Sequence, residues 1–226
     1  MVGGHRLVLV DSSPLRSLLS IPRNGEQEGA LRPVICFLHG YAEAAPLEIY
    51  RALRRHGPLR KSSSPMALER FIVIAPQLPP PGGDVWFRYA ESVRQIVQGL
   101  QADYGGDPGR TYLTGFSFGG NGVFDLADLV PGFWAALWPV DPTRIPQKDP
   151  GLPVWLSFGE ISRWHRAAFI RTLGFKDAGA GNTGDRVYLD QGKDHVGSAT
   201  SAYADDRVYS WLLSQSLKDR GITGTS

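Results

Sequence analysis

Residues 111–120 read TYLTGFSFGG. Thr111, Tyr112, Leu113 and Thr114 are residue types that favour a strand. Gly115-Phe116-Ser117-Phe118-Gly119 then fits G-x-S-x-G. A chain with 27 glycines produces that pattern by accident, so its neighbours decide its meaning. A nucleophilic serine needs a strand before it, a helix after it, and an acid and a histidine in the right order.

Working outward, the context is right. Gly119 to Val130 has helical character, so Ser117 sits between a strand and a helix. Glycines are needed there because the two backbones pass close together, and a helix N-terminus offers free N–H groups to a developing oxyanion. Upstream, Arg6–Val10 and Leu15–Ile21 read as antiparallel strands. Val34–Leu38 is a continuous apolar run that suits a strand buried on both faces. Pro46–His56 reads as a helix ended by Gly57-Pro58, Phe71–Ala75 as a strand, and Trp86–Tyr104 as a helix. Downstream, Ala135–Pro139, Val154–Phe158 and Arg186–Asp190 read as strands. Ser162–Leu173 and Asp206–Ser216 read as helices. Strands alternating with helices from residue 34 onward predict a mainly parallel sheet with helices on both faces.

Bulk properties narrow the class. The 226 residues are expected to form a single domain, residues 1–226. A hydrophobic content of 42% and a net charge of +2 are those of an ordinary soluble domain and give no electrostatic case for nucleic acid. No run approaches the length of a membrane span, so no membrane partner is expected. The single cysteine, Cys36, excludes an internal disulfide and a cysteine-ligated zinc site. No metal is expected. The N-terminus has no apolar core of a signal peptide, and the expected compartment is cytoplasmic, with a mature secreted form as the alternative.

A serine hydroxyl needs a base and an anion hole. Of five histidines, only His165 and His195 come late enough for the order Ser, acid, His. His195 follows the last strand in a Gly-containing loop, where open α/β sheets place ligands, and is the expected base. "FLHGY" ends a strand at His39-Gly40, so the Tyr41 N–H can turn toward the nucleophile. The N–H of Phe118 is its natural partner in an anion hole. Trp86 and Phe87, after a Pro/Gly loop, are candidates for the substrate pocket, together with His39.

The segments VICFLHGY, FIVIAPQLP, GRTYLTGFSFGG, LPVWLSFGE and HVGSATSAYADDRVYSWLLSQ resemble the α/β-hydrolase superfamily. Within it the chain is most similar to small esterases related to dienelactone hydrolase, carboxylesterase/phospholipase and polyhydroxybutyrate-depolymerase-like proteins. The resemblance implies an α/β-hydrolase fold, Ser117 as nucleophile, His195 as base, oxyanion donors at Tyr41 and Phe118, and no cofactor. It implies a small-molecule ester as substrate. Little sequence is left for a large lid, so an open site and short acyl chains are expected. An acyltransferase or peptidase with the same triad, or a non-catalytic binding protein on this fold, are the alternatives.

The acid departs from the family pattern. The family's H-G-x-x-D would place an aspartate at Ser162. Two residues remain as alternatives: Glu160, just after the strand that normally carries the acid, and Asp141, after the preceding strand.

Overall fold

The computed structural model describes residues 4–12, 14–23, 30–162, 166–175 and 186–218. His165 and Trp164 lie outside them. The strands are β1 (His5–Val10), β2 (Ser17–Pro22), β3 (Arg32–Leu38), β4 (Ile72–Pro76), β5 (Gly106–Phe116), β6 (Ala136–Val140), β7 (Trp155–Gly159) and β8 (Arg186–Asp190). They form one sheet in the order β1-β2-β4-β3-β5-β6-β7-β8. β2 runs antiparallel to both β1 and β4, and every pairing from β4 to β8 is parallel.

The apolar run at β3 is buried on both sides, as its composition predicts. Val34, Cys36 and Leu38 join one core; Ile35 and Phe37 join the other. That split is the two-residue period of a strand between two layers. One layer is built by α3 (Ala90–Tyr104), α4 (Phe118–Leu129) and α5 (Arg166–Thr172). The other is built by α1 (Ile49–Leu53), α2 (Met66–Arg70), α6 (His195–Tyr203) and α7 (Asp206–Leu213). Among the described residues no helix is long and apolar enough to cross a membrane.

The helices near the site differ from the sequence expectation: two have other boundaries, and α6, over residues read as loop, was not expected. The helix expected over Pro46–His56 covers only Ile49–Leu53, because Glu48 caps it, accepting from the N–H groups of Tyr50 and Arg51. Trp86–Tyr89 is a 3₁₀ turn leading into α3. α6 starts at His195 itself, capped by Asp194, whose carboxylate accepts from the Gly197 N–H at 2.7 Å.

Helix α4 lies hard against the sheet. A β-carbon on Gly115 would stand 2.2 Å from the Gly119 oxygen. One on Gly119 would stand 1.9 Å from the Leu38 oxygen. Those neighbours are backbone and cannot rotate away. Gly119→Ala should therefore destabilise the protein by about 3 kcal/mol or more in urea unfolding. Gly99→Ala is the control: nothing lies within 4 Å of that position in α3, and it should gain about 0.5–1 kcal/mol. Equal effects from the two changes would contradict the close approach.

Candidate active site

Ser117 is the hinge between β5 and α4. Its φ is 59° and its ψ −117°, a conformation rare for a residue with a side chain. The turn is held by the Ser117 N–H donating to the Val140 oxygen at 3.0 Å. The strained turn raises the hydroxyl off the end of β5 toward α6.

His195 meets it there. Its Nε2 is 2.8 Å from Ser117 Oγ, and its Nδ1 is 2.6 Å from Asp141 Oδ2. The ring also stacks on Phe116, with centroids 4.5 Å apart. The imidazole side chain is about a third exposed, at 35%, while Asp141 is wholly buried.

Asp141 follows β6 directly, and its φ of 45° swings the side chain across the sheet top. Its Oδ2 also accepts from Ser162 Oγ at 2.7 Å, and the Gly159 N–H lies 3.4 Å from Oδ1. Buried charge survives where donors compensate it. Of the two alternatives for the acid, the structure brings Asp141 to the imidazole and not Glu160. The exposed Glu160 accepts instead from the Gly192 N–H at 2.7 Å. The position where a family aspartate would stand, Ser162, is a hydrogen-bond donor to the carboxylate from the neighbouring strand.

Tyr41 opens a 3₁₀ turn and Phe118 opens α4, so neither N–H has an acceptor within its own helix. Both turns flank Ser117. A β-carbon on Gly40 would stand 3.3 Å from that of Ser117, and the Tyr41 and Phe118 rings meet edge to face at 5.9 Å.

The three pocket candidates do not line this site as expected. Trp86 is fully buried, donates from its indole N–H to the His39 oxygen at 3.0 Å, and packs into the space left by Gly122. His39 is also fully buried; its Nε2 accepts from the Leu78 N–H and its Nδ1 lies 2.7 Å from the Gly40 oxygen. Burial pushes its pKa down to about 4, so it is a neutral brace between β3 and the end of β4. Phe87 is exposed and lines a different hollow, of about 420 Å³, with Phe124, Leu129 and Arg144. The residues missed by sequence reasoning are Ser162 and the exposed apolar side chains Ile161 and Val196, each adjoining a member of the site. The sequence positions of Ile161 and Val196, next to Ser162 and His195, were the available signal.

No protein-family profile matches the chain, and no curated protein matches it in sequence. Solved structures do match. A thermostable esterase is 19% identical with a TM-score of 0.67, covering 95% of this chain and 63% of its own. This chain thus spans under two thirds of that esterase. FphF, a fluorophosphonate-binding serine hydrolase of Staphylococcus aureus, is 12% identical with a TM-score of 0.66, covering 94% of this chain and 99% of its own. An S-formylglutathione hydrolase from Agrobacterium tumefaciens is 14% identical with a TM-score of 0.68, covering 94% and 95%. The chain has the α/β-hydrolase fold.

A second carboxyl lies near Asp141. Asp190, at the end of β8, is buried with Oδ2 lacking a hydrogen-bond partner. Burial, then the charges of Asp205 and Asp141, push its pKa from 3.8 up to about 7, against the pull of Lys193 and Arg207. The folded state therefore holds this proton longer than the unfolded chain does. Through this group, stability is present at low pH and falls as pH rises from 3.8 to about 7. Asp190→Asn should raise the unfolding midpoint at pH 8 and change it little at pH 4. An equal shift at both pH values would contradict the assignment.

Proposed function

We propose that this protein is a serine hydrolase acting on carboxylic esters through an acyl-enzyme. The observation that carries this reading is the unbroken chain from Asp141 through His195 to Ser117, with distances of 2.6 and 2.8 Å. Fold likeness alone would not support it, because one fold hosts many functions.

In the first step Ser117 Oγ attacks the ester carbonyl carbon while its proton passes to His195 Nε2. The carbonyl oxygen becomes an oxyanion, received by the N–H groups of Tyr41 and Phe118. Asp141 holds Nδ1–H, fixing the ring's tautomer and stabilising the imidazolium. The imidazolium then gives its proton to the departing alkoxide, and the C–O bond to the alcohol breaks. Water repeats the sequence: His195 takes its proton, the hydroxide attacks the acyl carbon, and Ser117 leaves with the proton returned. No cofactor is needed in any step.

The serine is 8% exposed, and the His195 side chain beside it is about a third exposed. Short acyl esters suit this site best, because among the described residues the large exposed apolar side chains next in sequence to site residues are Tyr41, Ile161 and Val196, little wall for a long chain.

Two kinds of experiment test the reading. Among variants, Ser117→Ala should lose at least ~10³-fold in kcat on p-nitrophenyl acetate with folding intact. Asp141→Asn should lose roughly 10²–10⁴-fold, while Glu160→Gln should be nearly silent. Wild-type rates in Asp141→Asn would overturn the acid, and an active Ser117→Ala the whole mechanism. In a p-nitrophenyl series from acetate to palmitate, kcat/KM should be highest on the short esters. A maximum at palmitate would contradict the open site.

A further inference from the structure

A second buried acid and histidine stand behind the nucleophile, and the mechanism above uses neither. Glu43 closes the 3₁₀ turn that Tyr41 opens, and its side chain is 4% exposed. Its carboxylate Oε1 is 3.6 Å from Nε2 of His56, which is 8% exposed. His56 reads in the sequence as a helix-ending cation, but burial, with Arg55 and Arg60 nearby, lowers its pKa to about 4. Its Nδ1 is buried with no hydrogen-bond partner. Phe116 lies between the two histidines, 4.9 Å from the His56 ring and 4.5 Å from the His195 ring.

The position of Glu43 is specific. A β-carbon on Gly40 would lie 3.1 Å from Glu43 Oε2 and 3.3 Å from the Ser117 β-carbon. The carboxyl and Ser117 therefore both border the space where Gly40 carries no side chain. The Gly40 N–H is near enough to the carboxyl to favour its ionised form. The Glu43 backbone is held from the other direction, its oxygen accepting from the Gln77 amide at 3.0 Å.

Burying an acid and an imidazole together costs free energy that an apolar pair would avoid. Burial raises the Glu43 pKa, against the charge of Arg55, the Gly40 N–H and His195, which favour its ionised form. A group kept under that penalty, in the turn that carries an oxyanion donor, is placed for orientation.

Resting on the hydrolase reading, we propose that Glu43 is a positioning residue of the anion hole. Its carboxyl, seated between the Gly40 N–H and His56, fixes the Gly40–Tyr41 turn so that the Tyr41 N–H faces the acyl oxygen on Ser117. Glu43 touches no reacting atom. Its effect runs through the aim of one backbone donor.

The test compares three variants by steady-state kinetics on p-nitrophenyl acetate, thermal unfolding, and labelling of Ser117 by a fluorophosphonate. Glu43→Leu fills the same space without an acceptor. It should keep or raise the unfolding midpoint, yet lose about 10–10²-fold in kcat with KM within about 3-fold, since removing one oxyanion donor costs 10²–10³. Glu43→Gln keeps an acceptor for Gly40 and should hold at least about half of kcat. Glu43→Asp keeps the charge but withdraws it by one methylene, and should resemble the leucine variant in kcat; it decides the matter if the leucine variant does not fold. Wild-type kcat in the leucine or aspartate variant, or equal losses in all three, overturns the proposal. The wild type, run alongside, should label at Ser117 and turn over the ester. If it does neither, the hydrolase reading falls and this proposal with it.

Discussion

Helix α4 returns across the end of β5 so closely that Gly115 and Gly119 cannot carry β-carbons, and the site depends on that contact. The tight return forces Ser117 into positive φ. It puts the Phe118 N–H at the start of a helix, with no intrahelical acceptor. It also presses α4 onto the end of β3, because the Gly119 position abuts the Leu38 and His39 oxygens. The turn after β3 is thereby brought against Ser117, and the Tyr41 N–H, the second donor of the proposed anion hole, comes with it. Backbone strain of this kind costs of order 1–3 kcal/mol and persists only where surrounding structure enforces it. Here the enforcement comes from packed backbone on both sides.

The acid answers a different constraint. β6 pairs with β5, so a residue just past Val140 lies one strand from Ser117. Asp141 uses that adjacency, and its positive φ carries the carboxylate toward the imidazole. β7 then contributes donors in place of an acid: the Gly159 N–H and the Ser162 hydroxyl both face Asp141. Two neighbouring strands thus share one task, with the charge on one and its hydrogen-bond partners on the other.

What was legible in the sequence followed from local chemistry. The apolar run at β3 and the strand-turn-helix around Ser117 declare themselves by period and by glycine. So does the place of His195 after the last strand. The start of α6 was harder to read: Gly192 and Gly197 on either side of His195 look like loop, although Asp194, three residues before Gly197, is the cap that begins the helix. Asp141-Pro142 looks like a turn opener because nothing local reports that β6 lies beside β5. Trp86 follows a Pro/Gly loop and looks exposed; its burial depends on Gly122, thirty-odd residues on, leaving it a slot. For Asp141 and Trp86 the deciding partner is far away in the chain.

The most direct test is a crystal structure of the protein treated with an alkyl fluorophosphonate. The predicted result is phosphorus bonded to Ser117 Oγ, with the phosphoryl oxygen about 2.7–3.1 Å from the N–H nitrogens of both Tyr41 and Phe118. Phosphorus on any other residue, or a phosphoryl oxygen turned away from both nitrogens, would contradict the proposed site.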